Sequence, residues 1–239
     1  MKESRSTAPS RDEDRAPEAT RSEHAFRRIR HDILQGELQP GEKLKIEALR
    51  NRYEIGPTPI REALSRLASS GLVLQDMQRG FRVAPMSVEE LEDISAVRQM
   101  AETEALALSI SHGDAAWESE VVRTFYKLAR IESDLIAGKG HPAELWDDHN
   151  RDFHTALISA AQSPWLQRIC RQLNEHQERY RRVSLRAASI ADYERLHQEH
   201  RAIHDAALDR DAARATAMLR EHIARTTASI RSAWLERAE

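Results

Sequence analysis

Thr58-Pro59-Ile60-Arg61-Glu62-Ala63-Leu64-Ser65-Arg66-Leu67-Ala68-Ser69-Ser70-Gly71-Leu72-Val73 carries the clearest register in the chain. Thr58 has an N-cap side chain, Pro59 the fixed φ of a first helical residue, and Glu62 puts negative charge in the first turn. Ile60, Leu64, Leu67 and Ala68 recur at helical spacing and form one apolar stripe. Gly71 ends the helix. Arg61 and Ser65, four apart, share the polar face with Arg66. A short helix with a buried stripe and an arginine near its N-terminal end suits the DNA major groove. There a guanidinium can pair with guanine O6 and N7. Taken alone, the pattern also describes an ordinary surface helix with solvated arginines.

The flanks separate these two readings. Ile46-Glu47-Ala48-Leu49-Arg50-Asn51-Arg52-Tyr53 forms a preceding short helix, joined by the tight turn Glu54-Ile55-Gly56-Pro57. Afterwards Leu72-Val73-Leu74-Gln75 and Phe81-Arg82-Val83-Ala84 read as strands around Gln78-Arg79-Gly80. Helix, turn, helix and a hairpin tipped by Arg79-Gly80 make a winged helix-turn-helix, with Thr58, Arg61, Ser65, Arg66, Arg79 and Gly80 as candidate DNA contacts.

Working outward, the 239 residues suffice for one large or two small domains. Sparse aromatics and abundant charge favour helix. No apolar run has the length of a membrane span, and the N-terminus lacks the apolar core of a signal peptide, so a cytoplasmic protein is expected. Cys170, the single cysteine, excludes an intrachain disulfide and falls in a helical apolar pattern with Leu166, Ile169 and Leu173. Residues 21–85 hold twelve Lys/Arg against eight Asp/Glu, a net +4, whereas 86–239 hold twenty against twenty-six, a net −6. A basic segment joined to an acidic one fits a DNA reader attached to something else.

Residues 1–20 are rich in Ser, Pro, Ala and mixed charge, without apolar period, and read as a disordered arm. From about Ser22, the residues Phe26, Ile29, Ile33 and Leu34 line a first helix that Gly36 ends. Ser87-Val88-Glu89-Glu90 is a capping box opening a long helix to about Ser111. Further helices are expected after Gly113-Asp114 and at about 143–161, 164–186, 191–209 and 211–236. No strand pattern follows residue 86. The expected fold is mainly α: a winged helix-turn-helix over 21–86 with a small β-hairpin, then an all-α bundle of about six helices over 87–239.

Within the bundle, Asn150 and His154 share a helix face, and His200 and His222 lie on two later helices. Neutral imidazoles on facing helices can hold a divalent ion such as Zn²⁺, at about 2.0–2.1 Å. The chain has eleven histidines, and His197, His200 and His204 also read as a plain polar stripe. Arg98 either pairs with Glu102 or binds an effector carboxylate, for which its planar fork is suited. His204 is a rival ligand or a pocket residue. Arg179, Tyr180 and Arg182 raise the same question.

Residues 24–86 resemble the winged-helix domain of GntR-type bacterial transcription regulators. The matching phrases are Ile33-Leu34-Gln35-Gly36-Glu37-Leu38-Gln39-Pro40-Gly41-Glu42-Lys43-Leu44, Thr58-Pro59-Ile60-Arg61-Glu62-Ala63-Leu64 and Arg79-Gly80-Phe81-Arg82-Val83. Residues 87–239 resemble the FCD ligand domain of the FadR subfamily, through Arg98 with Glu102, Phe153-His154, Glu199-His200-Arg201-Ala202-Ile203 and Leu219-Arg220-Glu221-His222. The resemblance implies a homodimeric repressor without enzymatic activity, bound to a pseudo-palindromic DNA operator and released by a small organic acid. It implies a divalent metal, zinc or a similar ion, on Asn150, His154, His200 and His222, with Arg98, His204 and Tyr180 toward the effector. Two positions depart from the family pattern. Gly56 and Pro57 stand where Ser-Arg is usual, and Asn150 where an aspartate ligand is often found. Other functional classes remain: a metal-dependent enzyme in the bundle, which has no evident nucleophile or paired base, and a constitutive DNA-binding dimer.

Overall fold

The computed structural model describes residues 18–76, 80–140, 143–185 and 189–236. The chain divides into two compact units, Met1–Pro85 and Met86–Glu239.

The first unit contains α1 (Glu18–Gln35), β1 (Lys43–Leu44), α2 (Ile46–Tyr53), α3 (Pro57–Ser69), β2 (Val73–Asp76) and β3 (Gly80–Val83). Helix α1 begins three residues inside the stretch expected to be an arm; 1–17 lie outside the described residues. The strands form an antiparallel sheet in the order β1-β3-β2, with Val73 opposite Val83 and Leu44 opposite Phe81. Strand β1 was not apparent from periodicity, because two residues are too few to show alternation. Ile29 and Ile33 from α1, Leu49 and Tyr53 from α2, and Ile60, Leu64 and Leu67 from α3 are buried with Val73 and Val83 in one core.

Helix α3 starts earlier than its sequence suggests. Gly56 is the N-cap, with no side-chain cap bond, and Pro57 enters the first turn, leaving Thr58 as an exposed helical residue. Pro57 lacks the N–H that a first-turn residue leaves unpaired anyway, and its φ is already helical. A second proline in the same turn therefore lengthens the helix. The left-handed Glu54 (φ 58°) closes α2 by donating its N–H to the Arg50 carbonyl, which makes the turn short.

The second unit holds, among the described residues, six helices: α4 (Val88–His112), α5 (Ala115–Ile136), α6 (Ala143–Leu157), α7 (Pro164–Leu185), α8 (Ile190–Leu208) and α9 (Ala212–Glu236). Helix α4 packs on α9 and α7, α5 on α6 and α8, and α8 on α9. Leu106, Leu128, Phe153, Leu157, Ile203 and Leu219 fill the core, and Cys170 is buried among them. Helix α6 stops at Leu157 rather than near 161, and the Ala156 carbonyl beside its end is bonded by side chains. It accepts from the Trp117 indole at 3.0 Å and from the Ser159 hydroxyl at 2.9 Å. No described helix is long and apolar enough to cross a membrane.

The capping of α4 also differs from expectation. Ser87 accepts from the Glu90 N–H at 3.1 Å, but the reciprocal half of the box passes through Tyr180. The Ser87 N–H donates to the Tyr180 hydroxyl oxygen at 3.1 Å, and that hydroxyl donates to the Glu90 carboxylate. A residue on α7 thus completes the cap of α4 and satisfies an N–H left open by the helix geometry.

Candidate functional site

Helix α3 buries Ile60, Ala63, Leu64 and Leu67 completely and exposes Thr58, Arg61, Ser65 and Arg66. Arg61 forms no ion pair with another described residue, so its guanidinium is available to a partner. Arg66 is engaged within the unit. It pairs with Glu23 of α1 at 2.9 Å and lies 4.1 Å from the centre of the Phe26 ring. The Arg66 guanidinium, with Arg27, holds the Glu23 carboxyl below its ordinary range. Arg66 therefore ties α3 to α1, a role that contacts 43 positions apart along the chain conceal from helical periodicity. Gly80 opens β3 with φ +82°, a left-handed backbone that glycine adopts without steric cost. Arg79 lies outside the described residues.

In the second unit the expected metal ligands come from three helices. His154 on α6, His200 on α8 and His222 on α9 are buried, and one ligand atom from each lies within 4.8 Å of the others. Their ring centres are 4.8 to 5.5 Å apart. Burial, then the neighbouring His222 and His200, push His154 well below the ordinary histidine range. Burial brings His222 down to about 4 despite the opposing Glu199. Imidazoles of such low basicity keep their lone pairs at neutral pH, the form in which histidine binds a metal.

Asn150 precedes His154 by one turn of α6 and is buried. A cavity of about 470 Å³ is lined by Asn150, His154, His222 and Arg98, with Arg181 and Arg195 among its other walls. Arg98 is held by Glu102 in a buried bidentate pair, Nε to Oε1 at 2.6 Å and Nη2 to Oε2 at 3.0 Å. The ion pair expected from the sequence is present, and the same guanidinium borders the cavity. Arg181 is held by the buried Asp147 through a single oxygen, Nε to Oδ1 at 2.8 Å and Nη2 to Oδ1 at 2.7 Å.

Two expected effector residues lie elsewhere. Tyr180 does not line the cavity; its hydroxyl is occupied at the α4 cap. Its position beside two arginines suggested a pocket, but its ring joins Leu91, Ile94 and Ile230 in a separate small core. His204 stacks on Phe125 at 4.2 Å and turns Nδ1 to Asp205 at 2.8 Å. One turn after His200 on α8, it falls beside the cluster rather than in it.

Sequence reading missed the carboxylates behind the histidines. Glu132 on α5 faces His200 Nδ1 at 2.7 Å, and Glu199 on α8 faces His222 Nδ1 at 2.7 Å. Burial opposes ionisation of Glu132, but the His200 and His197 imidazoles outweigh it and hold the carboxyl at about 2. For Glu199, burial is likewise outweighed by His222 and Arg195, again giving about 2. A signal for Glu132 was present: it continues the apolar stripe Val121, Phe125, Leu128 of α5, where a carboxylate is out of place.

The donor set fits a divalent ion on one further observation. His200 Nε2 is a buried nitrogen with no hydrogen-bond partner, while its Nδ1 is taken by Glu132. A buried polar atom without a partner is costly, and a metal ion would remove that cost.

Comparison with known proteins accords with both units. The family described as "Bacterial regulatory proteins, gntR family" matches residues 21–83, and the FCD domain matches residues 93–225. An uncharacterized HTH-type transcriptional regulator, BphR of Paraburkholderia xenovorans (strain LB400), is 42% identical over 209 residues, spanning 87% of this chain and 84% of that protein. The HTH-type transcriptional repressor GlaR of Escherichia coli (strain K12) is 36% identical over 200 residues, 83% of this chain and 90% of that protein. The solved structure of E. coli McbR/YncC superposes with TM-score 0.76 at 20% identity, covering 90% of this chain and 98% of that one, a likeness of fold.

Proposed function

The chain belongs to the gntR family of bacterial regulatory proteins, DNA-binding transcription regulators, here with an FCD domain, and from that premise we propose a metal-assisted, ligand-released repressor. Arg61 on the exposed face of α3 reads an operator base, with Thr58 and Ser65 on the same helix and the sequence pair Arg79-Gly80 as further contacts to the DNA. Two copies of the chain read the two halves of a pseudo-palindrome, because a two-fold protein matches a two-fold site.

The observation that carries the reading is the cavity where Asn150, His154 and His222 meet Arg98, beside the partnerless Nε2 of His200. His154, His200 and His222, with the Asn150 amide oxygen, would hold Zn²⁺ or a similar ion. Bound there, the ion supplies a positive charge at the wall of the cavity. Four neutral ligands leave the ion more positive than a set with an aspartate would, and Arg98 adds its own charge to the cavity, so the site favours an anion, and a small carboxylate is the natural effector. Arg98 offers it a second anchor, already oriented by Glu102.

The effector acts by binding one packing of the helices better than another. A coupling of about 1–3 kcal/mol is the scale of such switches. Helix α4 carries Arg98 and starts at the residue after Ser87, so a shift of α4 is transmitted along the chain to the winged unit. The repressor name of GlaR supports release from DNA as the direction of the switch.

The test is the double variant His200→Ala/His222→Ala. It should keep helical content and bind the operator with two chains per site, yet lose both the metal and the response to carboxylates. Release of DNA at an unchanged effector concentration by a folded, metal-free double variant would remove the metal from the switch and leave Arg98 as the sensing residue.

A further inference from the structure

We infer that Glu132 and Glu199 are positioning residues that fix the tautomer and aim of His200 and His222, so that each presents Nε2 to the metal. The inference rests on the metal reading above and concerns two side chains that do not themselves touch the ion.

A carboxylate accepts hydrogen bonds and donates none, so the ring nitrogen facing it carries the proton. A neutral imidazole has a single N–H. With that proton at Nδ1, the lone pair lies at Nε2, on the opposite side of the ring. Glu132 imposes this on His200 from 2.7 Å, and the Nε2 so freed is the buried nitrogen without a partner. Glu199 imposes it on His222 from the same distance.

Neither carboxylate is free to turn away. Glu132 uses Oε2 for His197 Nδ1 at 3.0 Å and accepts from the Trp146 indole at Oε1, 3.3 Å. Glu199 is held on Oε1 by Arg195 and by Arg225, both at 3.2 Å. The two differ in one respect that points to purpose. Glu199 has two guanidinium partners, whereas Glu132, fully buried, has no lysine or arginine against it among the described residues. A buried carboxylate that faces only imidazoles is expensive while those rings are neutral, and an apolar side chain there would extend the α5 stripe at lower cost. A metal on the far side of His200 would supply the missing positive charge through the ring. His154, with no carboxylate partner among the described residues, serves as the internal control.

The experiment has two readouts on the full-length chain. The first uses ¹⁵N-labelled, metal-free protein at pH 8 and long-range ¹H–¹⁵N correlation of the imidazoles. His200 and His222 should each show an Nδ1–H, Nε2-unprotonated ring. The second is zinc affinity by competition with a chromophoric chelator. Glu132→Gln and Glu199→Gln should each weaken zinc about 10–100-fold. Glu132→Gln should move the His200 ring signals and spare those of His222 and His154; Glu199→Gln should move His222 alone. An Nε2–H proton on His200 or His222 in the unmodified chain overturns the role of the carboxylate facing it, and needs no variant to fold. Zinc affinity unchanged in both folded variants overturns the pair while leaving the metal reading standing. No zinc binding by the unmodified chain overturns the metal reading itself and removes the positioning role with it.

Discussion

The two units place their polar chemistry on opposite sides of their surfaces. Among the described residues the winged unit buries one polar side chain, Ser22; the helical unit buries seventeen, including Arg98, Glu102, Glu132, Asp147, His154, His200 and His222. The winged unit closes an apolar core and leaves its candidate contacts in solvent, so those contacts can change with little effect on folding. The helical unit builds its candidate site from its own interior, so nearly every change to the site is also a change to the core. Burying a charge is tolerable only when it is paired and hydrogen-bonded. The second unit meets that condition for Arg98 with Glu102 inside α4, and for Arg181 with Asp147 between α7 and α6.

The largest test of this contrast is to break a buried pair. Glu102→Ala leaves the Arg98 guanidinium buried without its partner and removes one of the two acceptors of the Asn174 amide. A loss of about 3–5 kcal/mol in the stability of the helical unit is expected, read by urea denaturation. A loss below about 1 kcal/mol, the scale of an exposed pair, would show that water reaches Arg98 and that the contrast is overdrawn.

Acid should separate the units next. His222 is depressed from 6.5 to about 4 in the folded chain. Between those values the unfolded chain takes up a proton that the folded chain refuses. Stability is therefore complete above about pH 6.5 and falls as the pH drops toward 4, by about 3 kcal/mol for this residue in metal-free protein. Glu132 and Glu199, lowered from 4.5 to about 2, continue the loss below pH 4.5. Urea midpoints of chelator-treated protein at pH 7, 6, 5 and 4 measure it. A flat profile would mean that the histidines are hydrated.

On the winged side, Arg61→Ala should weaken operator binding by about 1–3 kcal/mol and relax discrimination at one base pair. Its thermal midpoint should match that of the unmodified chain, because Arg61 pairs with nothing described. Titration against the operator and single-base variants of it gives the first quantity, and calorimetry the second. A drop in stability equal to the loss of binding would place Arg61 among structural residues.

Arg66→Ala gives the smallest effect and sharpens the comparison most finely. Its neighbour relations on α3 equal those of Arg61 to a reader of the sequence, yet it is bound to Glu23 and Phe26. It should lower the thermal midpoint slightly and leave base discrimination intact. Changed discrimination with an unchanged midpoint would return Arg66 to the DNA-reading face.

Legibility in the sequence followed the range of the interaction. The Arg98–Glu102 pair and the Asn150–His154 face are four residues apart, and a period of 3.6 is enough to place them together. The α2 and α3 stripes, the breaker Gly36 and the Ser87 start were visible for the same reason. The three histidines could be nominated but not assembled, since helical period tells which face is inside, not how far one helix slides or turns against another. His204 shows the limit: one turn of α8 from His200, it lies outside the cluster.

By itself, the sequence determined the order and type of every element but β1, the apolar faces, the division into a basic reader and an acidic bundle, and the residue types available for metal and anion. The tertiary structure alone decided which of them meet. It set Glu132 against His200 across 68 positions and Tyr180 into the cap of Ser87 across 93. It also withdrew Arg66 from the free face of α3 and moved Tyr180 away from the cavity. Local order follows from short-range sterics and hydrogen bonding, which sequence spacing encodes. Partners distant in the chain are chosen by the simultaneous packing of all the helices, which fixes each rotation and height only when the whole core closes.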